Sequence, residues 1–457
     1  MPKLWGGRFT RSNSKLMEQF NDSLPFDKRF WSEEIKASRA YSVALERAGV
    51  FSKAEVTKVK HAFGEIGEEF EAGNFEFKPG DEDIHTAIER RLVEKIGDIG
   101  KKIHTGRSRN EQVVTDERIF LRGAVCEIKD SIRGLQDSVL KQAEKSTEDI
   151  VPSYTHLQQA QLISLGHYFM SMFFMLENDF GRFADMEKRI SVLPLGSGAV
   201  AGSTVRLNRE LIKKELRFSA VSPNSIVAVS DRDFIAEFLF GVSQSLVHLS
   251  RFAEDFIIWS SSEFGFVELD DLYSTGSSMM PQKKNPDSLE LIRGKASRTI
   301  ANLNSLLIMQ KGLPLTYSKD LQEDKEPLFD SVDTLNFALR VFAGVISTLK
   351  IHRQNLLRGV EDSIYATDIA DYLVERGVPF REAHKIVGRL VLYSISKKNS
   401  LREISVVELR EYSAVFDSDY SEIFNPIRSV ERHDVFGGTS PRRVKQQIEL
   451  ARKILKN

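Results

Sequence analysis

Three stretches of the chain place apolar residues on an alternating four-three register for about six turns or more, and a chain so patterned has to lay long helices side by side. The first register runs from Val114 through Leu121, Val125, Ile128, Ile132, Leu135 and Val139, with Arg118 in the remaining slot. A second joins Ile235, Phe238, Val242, Ser245, Leu249, Phe252, Phe256 and Trp259, and a third joins Leu328, Val332, Leu335, Leu339, Phe342, Ile346 and Leu349. Between Gln161 and Val192 lies a fourth helical segment rich in Phe and Met, and Pro286 to Lys311 gives a fifth, closed by Gly312 at its C′ position. Helices of about 25–38 residues would span roughly 37–57 Å, longer than a compact small domain needs. Their seams are therefore expected to be buried between subunits.

The expected fold is all-α, with three domains: an N-terminal helical domain over residues 1–107, a central bundle of five long helices over 108–360, and a C-terminal helical domain over 361–457. The central bundle is expected to assemble into a larger oligomeric helical core. In the N-terminal part, Ser52-Lys53-Ala54-Glu55 is a capping-box pattern, and a helix covers Ile84 to Ile96 with Asp83 as its cap. Alternating runs that would build a sheet are few.

Lys+Arg 64 against Asp+Glu 65 leaves a net charge of -1, which argues against a nucleic-acid-binding or polybasic membrane-binding surface. Anion recognition must come from local charge. The single cysteine, Cys126, can form no intrachain disulfide and is expected in the core, in keeping with a reducing cytoplasm. Apolar runs of the length a membrane span needs, about 18 residues, are not found, so the protein is expected to be soluble.

Four polar runs carry the chemistry. In Gly276-Ser277-Ser278-Met279-Met280-Pro281-Gln282-Lys283-Lys284-Asn285-Pro286, a flexible Gly-Ser-Ser segment precedes two lysines that can neutralise an anionic substrate. Asn285 is expected as the cap of the following helix, Pro286 as its first residue, with Asp287 and Glu290 in the first turn. His104-Thr105-Gly106-Arg107-Ser108-Arg109-Asn110 sits at the start of the first long helix, where backbone N–H groups, guanidinium groups and an amide can grip carboxylates. Ser153-Tyr154-Thr155-His156-Leu157-Gln158 reads as a polar turn between two long helices, and His156 is the histidine best suited to move a proton near neutrality. Thr316 to Glu326 mixes hydroxyl, amide and opposite charges, with Tyr317, Gln322 and Lys325 as separate donors. No histidine pair has persuasive metal-ligand spacing, so no metal and no cofactor are expected.

The ordered run Gly-Ser-x-x-Met-x-x-Lys-x-Asn resembles the signature of the fumarase/aspartase superfamily. Taken with Leu4-Trp5-Gly6-Gly7-Arg8-Phe9, Phe20-Asn21-Asp22-Ser23, His104–Asn110, Thr155-His156 and Gln322–Lys325, the chain resembles the argininosuccinate lyase branch over essentially its whole length. Ser153, Gln159, Leu162 and Ser318 depart from common family residues, and none of these departures removes a catalytic group. The resemblance implies reversible cleavage of argininosuccinate into arginine and fumarate, as part of arginine biosynthesis, in a cytoplasmic homotetramer whose sites are shared between subunits. It implies His156, Ser277, Lys283 and Glu290 as catalytic residues. Ser277 is favoured as base with Lys283 stabilising the anion, and His156 as acid held by Glu290; the opposite assignment stays open. Substrate contacts implied are Ser23, Asn110, Thr155, Tyr317, Gln322 and Lys325, with Arg109, Arg232 and Asn285 beside them. An adenylosuccinate lyase, or a crystallin-like relative without activity, is the alternative.

Overall fold

The computed structural model describes residues 13–456, so the Leu4–Phe9 motif lies outside the described residues. Helix dominates, as the apolar registers require. The five long helices are Arg109–Lys145, Leu165–Ile190, Asp233–Ser260, Asp287–Gln310 and Lys325–Thr348. The chain divides into two compact units. One holds the chain through Asp130 with Phe180–Ser245 and Lys295–Asn336, and the other holds Ser131–Asp179, Leu246–Gly294 and the chain from Phe337 onward. Each long helix thus contributes residues to both.

In the first unit, helices Trp31–Arg47, Lys53–Glu71 and Ile84–Ile96 pack around Phe30, Tyr41, Phe63, Ile88 and Leu92. Their starts follow the sequence. Ser52 and Glu55 form the capping box, and the Asp83 carboxylate accepts the Thr86 N–H at 2.6 Å. The second unit has a C-terminal core built on Ile369, Leu373, Ile386, Leu390, Phe416 and Phe424. No helix of the described residues is long and apolar enough to cross a membrane.

The heptad seams are closed within the single chain, contrary to the expectation that they lie between subunits. Val114, Leu121, Val125, Ile128, Ile132, Leu135 and Val139 are all 0% exposed, and Leu335 and Leu339 match them. Apolar side chains left in solvent stand elsewhere on the same helices: Phe240, Leu291, Ile308 and Phe337 are each more than half exposed. Cys126 is also exposed rather than in the core. It follows Val125 by one residue, about 100° around the helix from the buried seam. Because Leu335 is an intrachain core residue, Leu335→Ala is expected to cost about 2–5 kcal/mol of chain stability, read as a lowered melting temperature. Dissociation of the assembly with unchanged chain melting would place Leu335 at an interface instead.

Among the described residues sheet is confined to two-stranded pieces, and one of them changes the reading of a motif. Ile150–Thr155 pairs antiparallel with Gln158–Ser164, with Ile150 opposite Ser164 and a bulge between Pro152 and Tyr154. The helix expected from Gln161 therefore begins at Leu165. Main-chain pairing of Gln158 with Thr155 and of Gln159 with Tyr154 decides the conformation of a glutamine-rich stretch that local propensity alone would make helical.

Candidate active site

The serine loop is closed at its base by a short ladder, in which Thr275 pairs with Asn285 and Gly276 with Lys284. A hydrogen bond from Thr275 Oγ1 to the Asp287 carboxylate, and one of 2.7 Å from Ser288 Oγ to the Tyr273 carbonyl, fasten the loop to the helix behind it. That helix begins at Asp287, one residue later than the sequence suggests, because Asn285 is engaged in the ladder and the Pro286 carbonyl accepts the Glu290 N–H at 3.1 Å. Within the loop, Ser277 Oγ accepts the Met279 N–H at 3.2 Å and the Met280 N–H at 3.0 Å. Two donors aimed at one hydroxyl oxygen favour its anionic form. Lys284 is held by Glu268 at 3.0 Å and Asp271 at 2.6 Å. Lys283, exposed and outside any ion pair among the described residues, is the loop's available cation. Glu290 is also exposed and faces Arg293 at 3.9 Å; among the described residues no hydrogen bond or ion pair joins it to His156.

His156 sits in the turn expected between the first two long helices, which the structure shows to be the tip of a β-hairpin. Thr155 pairs with Gln158, leaving His156 and Leu157 as a two-residue turn with φ of 54° and 58°. Consecutive positive φ values are the pattern of a type I′ turn, which Asn-Gly satisfies best. A histidine followed by a leucine pays a conformational cost there, and it presents Thr155, the imidazole and Leu157 to solvent.

The first unit brings several of the remaining candidates together. Arg232 and Lys325 share two carboxylates: Lys325 Nζ lies 2.8 Å from Asp324 and 3.1 Å from Glu117, while Arg232 Nε lies 3.3 Å from Glu117 and forms a short contact with Asp324. Arg232, Glu117 and Asp324 are 0% exposed at their side chains and Lys325 is 4% exposed. Burial works against charge on Asp324, yet Lys325 and Arg232 outweigh it and hold the carboxyl below its usual range. On Glu117 burial wins. Arg232 and Lys325 offset it in part, Asp324 adds to it, and the group is pushed up to about 7. Tyr317, half-buried beside the same charges, has its hydroxyl raised by burial.

Ser23 and Gln322 meet the same stretch of chain, for Gln322 Nε2 donates to the Asn21 carbonyl at 3.3 Å and Ser23 Oγ donates to Asp27. Asn110 Nδ2 reaches the Ala199 carbonyl at 3.4 Å. Arg109 is held by three protein groups, Asp83 at 2.9 Å, Gln112 at 2.6 Å and Thr86 at 3.0 Å. Beneath it, His85 Nδ1 lies 2.8 Å from Glu34 and 3.4 Å from Asp116, with Arg107 at 3.7 Å from Glu34. These residue types can ligate a cation. Positive charge is already supplied by Arg107: burial would raise Glu34, but Arg107 and His85 hold it low, whereas burial and the Glu34 charge push Asp116 well up.

Glu117 and Asp324 were not among the candidates from sequence. Asp324 lies inside the Gln322–Lys325 run and could have been found there. Glu117 gives no local signal beyond an acidic residue beside a buried stripe, because its partners are distant in sequence.

Residues 7–301 match the family model described as Lyase, and residues 363–431 match the one described as Argininosuccinate lyase C-terminal. The argininosuccinate lyase of Symbiobacterium thermophilum is 47% identical, with 100% of this chain and 99% of that protein covered. That of Roseiflexus sp. (strain RS-1) is 50% identical over 98% of this chain and 99% of the relative. Among solved structures, EDDS lyase in complex with formate superposes with a TM-score of 0.86 at 28% identity, covering 98% of this chain and 91% of its own. Class II fumarase from Schistosoma mansoni shares the fold, with a TM-score of 0.74 at 16% identity over 91% of this chain and 92% of that one. The chain belongs to the argininosuccinate lyase family.

Proposed function

We propose that the chain catalyses the reversible, non-hydrolytic cleavage of argininosuccinate into arginine and fumarate, the carbon–nitrogen bond-breaking step that yields arginine in its biosynthesis. Family membership sets the reaction class, and the observation that carries the assignment of roles is the pair of N–H donors on Ser277 Oγ. The reaction removes a proton from the carbon next to a succinyl carboxylate, stores the charge as an aci-carboxylate, and returns a proton to the departing guanidino nitrogen. Ser277 acts as base, its alkoxide stabilised by the Met279 and Met280 N–H groups and by Lys283, which also faces the dianionic intermediate. His156 acts as acid, with Glu290 holding its proton.

Ser23, Asn110, Thr155, Tyr317, Gln322 and Lys325 bind substrate. Arg109, Arg232 and Asn285 stand beside them as further contacts. The assembly is a cytoplasmic homotetramer with sites shared between chains. In support, Glu290 and His156 do not meet within the chain, and Leu291 and Ile308 on the helix that carries Glu290 are 61% and 72% exposed. Purified protein is expected to release fumarate from argininosuccinate and not from adenylosuccinate. Release from adenylosuccinate alone would make it another fumarate-forming lyase, and no release from either would make it a structural relative without activity.

Shared sites predict complementation. Ser277→Ala and Asn110→Ala chains, each nearly inactive alone, should recover activity when their subunits are exchanged, because about a quarter of mixed sites then carry neither defect. Verified exchange without recovery would mean that both residues of a site come from one chain.

A further inference from the structure

With Glu117 ionised, the Arg232, Lys325, Asp324 and Glu117 cluster is balanced, two cations against two carboxylates in a space almost closed to water. A substrate carboxylate binding at Lys325 adds one negative charge to that space. Burying an uncompensated anion is costly, so the arriving charge has to be met by loss of another. We infer that Glu117 is a positioning residue that holds Lys325 and Arg232 charged in the free enzyme and takes up a proton when the substrate carboxylate arrives, handing both cations over to the ligand. This rests on the reading of Lys325 as a substrate contact.

The two carboxylates are not equivalent. Asp324 accepts a hydrogen bond from Lys325 and one from Arg232, which fixes it as the permanent counter-ion. Glu117 is held at ion-pair distance, 3.1 Å from Lys325 and 3.3 Å from Arg232, and among the described residues its two buried oxygens lack the aligned hydrogen bonds that Asp324 accepts; Arg232 Nη2 is likewise without one. Glu117 is therefore held mainly by charge, less firmly than Asp324, and spare donor capacity remains on the Arg232 guanidinium beside it. Other charges around Glu117 are accounted for. Tyr317, in the loop that precedes the 3₁₀ turn Lys319–Asp324, is held protonated by burial, and Arg118, next on the Glu117 helix, is turned to Asp231 at 2.9 Å. Burial already raises Glu117 to about 7, so the field of an arriving carboxylate shifts it further toward the protonated form at neutral pH. Of the four side chains, Lys325 alone keeps any exposure, so its ammonium is where a ligand enters the cluster.

The consequence is proton uptake linked to binding. Calorimetry of fumarate binding to the intact enzyme at pH 7.5, in two buffers of different ionisation enthalpy, should show roughly half a proton or more taken up per site. KM for argininosuccinate should rise by up to about tenfold per pH unit above neutrality. In Glu117→Gln the uptake disappears and KM becomes flat over that window. His156→Asn keeps the uptake, which separates it from titration of the imidazole. Binding by the wild-type enzyme without proton uptake overturns the inference even if the Gln variant fails to fold, and so does uptake that persists in a folded Gln variant. Lys325→Met tests the underlying reading by itself: undiminished fumarate affinity there means that Lys325 is not a substrate contact, whatever the proton count.

Discussion

Ser277→Ala is expected to lower kcat by about 10²–10⁴-fold, the range associated with removing a general base, while leaving chain stability within about 0.5 kcal/mol. The small stability cost follows from the loop's exposure. Ser277 is only half-buried, and the Met279 and Met280 N–H groups that it accepts lie on exposed residues, where water can replace the hydroxyl. The large kinetic cost follows from the same two bonds. A serine hydroxyl is a poor base in water, and proton abstraction requires its alkoxide to be held by charge and by oriented donors. The loop provides both: two N–H groups at 3.0–3.2 Å, and Lys283 free while Lys284 is consumed by Glu268 and Asp271. Lys283→Met should therefore reproduce part of the loss, with folding intact. Near-wild-type turnover in a correctly assembled Ser277→Ala enzyme would remove the serine from the mechanism.

What was legible in the sequence was what repeats locally. A four-three register names a buried helix face without reference to its partner, which is why Val114 to Val139 and Leu328 to Leu349 were read correctly as seams. The same pattern does not say whose helix fills the seam, and the partners of Leu335 proved to lie in its own chain. Capping residues such as Ser52 and Asp83 act within one turn and were equally legible. The hairpin was not. Gln158-Gln159-Ala160-Gln161 is adequate helix sequence, and only pairing with Ile150–Thr155 makes it a strand. At the site, motifs that lie on one loop were found together, whereas Glu117 was missed because its meaning depends on Arg232, Asp324 and Lys325 converging from other segments.

The hairpin also makes His156 separable from folding, and that supports the second large effect. At φ 54° and 58°, His156 and Leu157 occupy a backbone region in which asparagine is several-fold enriched and β-branched residues are strained. His156→Asn should therefore keep the turn and leave the melting temperature unchanged or slightly raised. Its imidazole is exposed and makes no hydrogen bond that the strand pairing depends on, so no packing is lost. Turnover should nevertheless fall by about 10²–10⁴-fold, because asparagine cannot deliver a proton to the leaving nitrogen. The two variants also distinguish the assignment of base and acid. With Ser277 as base, His156→Asn run in deuterated water still exchanges the succinyl C–H of argininosuccinate before any carbon–nitrogen bond breaks, and Ser277→Ala does not. If exchange survives in Ser277→Ala and is lost in His156→Asn, the histidine takes the carbon proton and the serine loop acts on the leaving group.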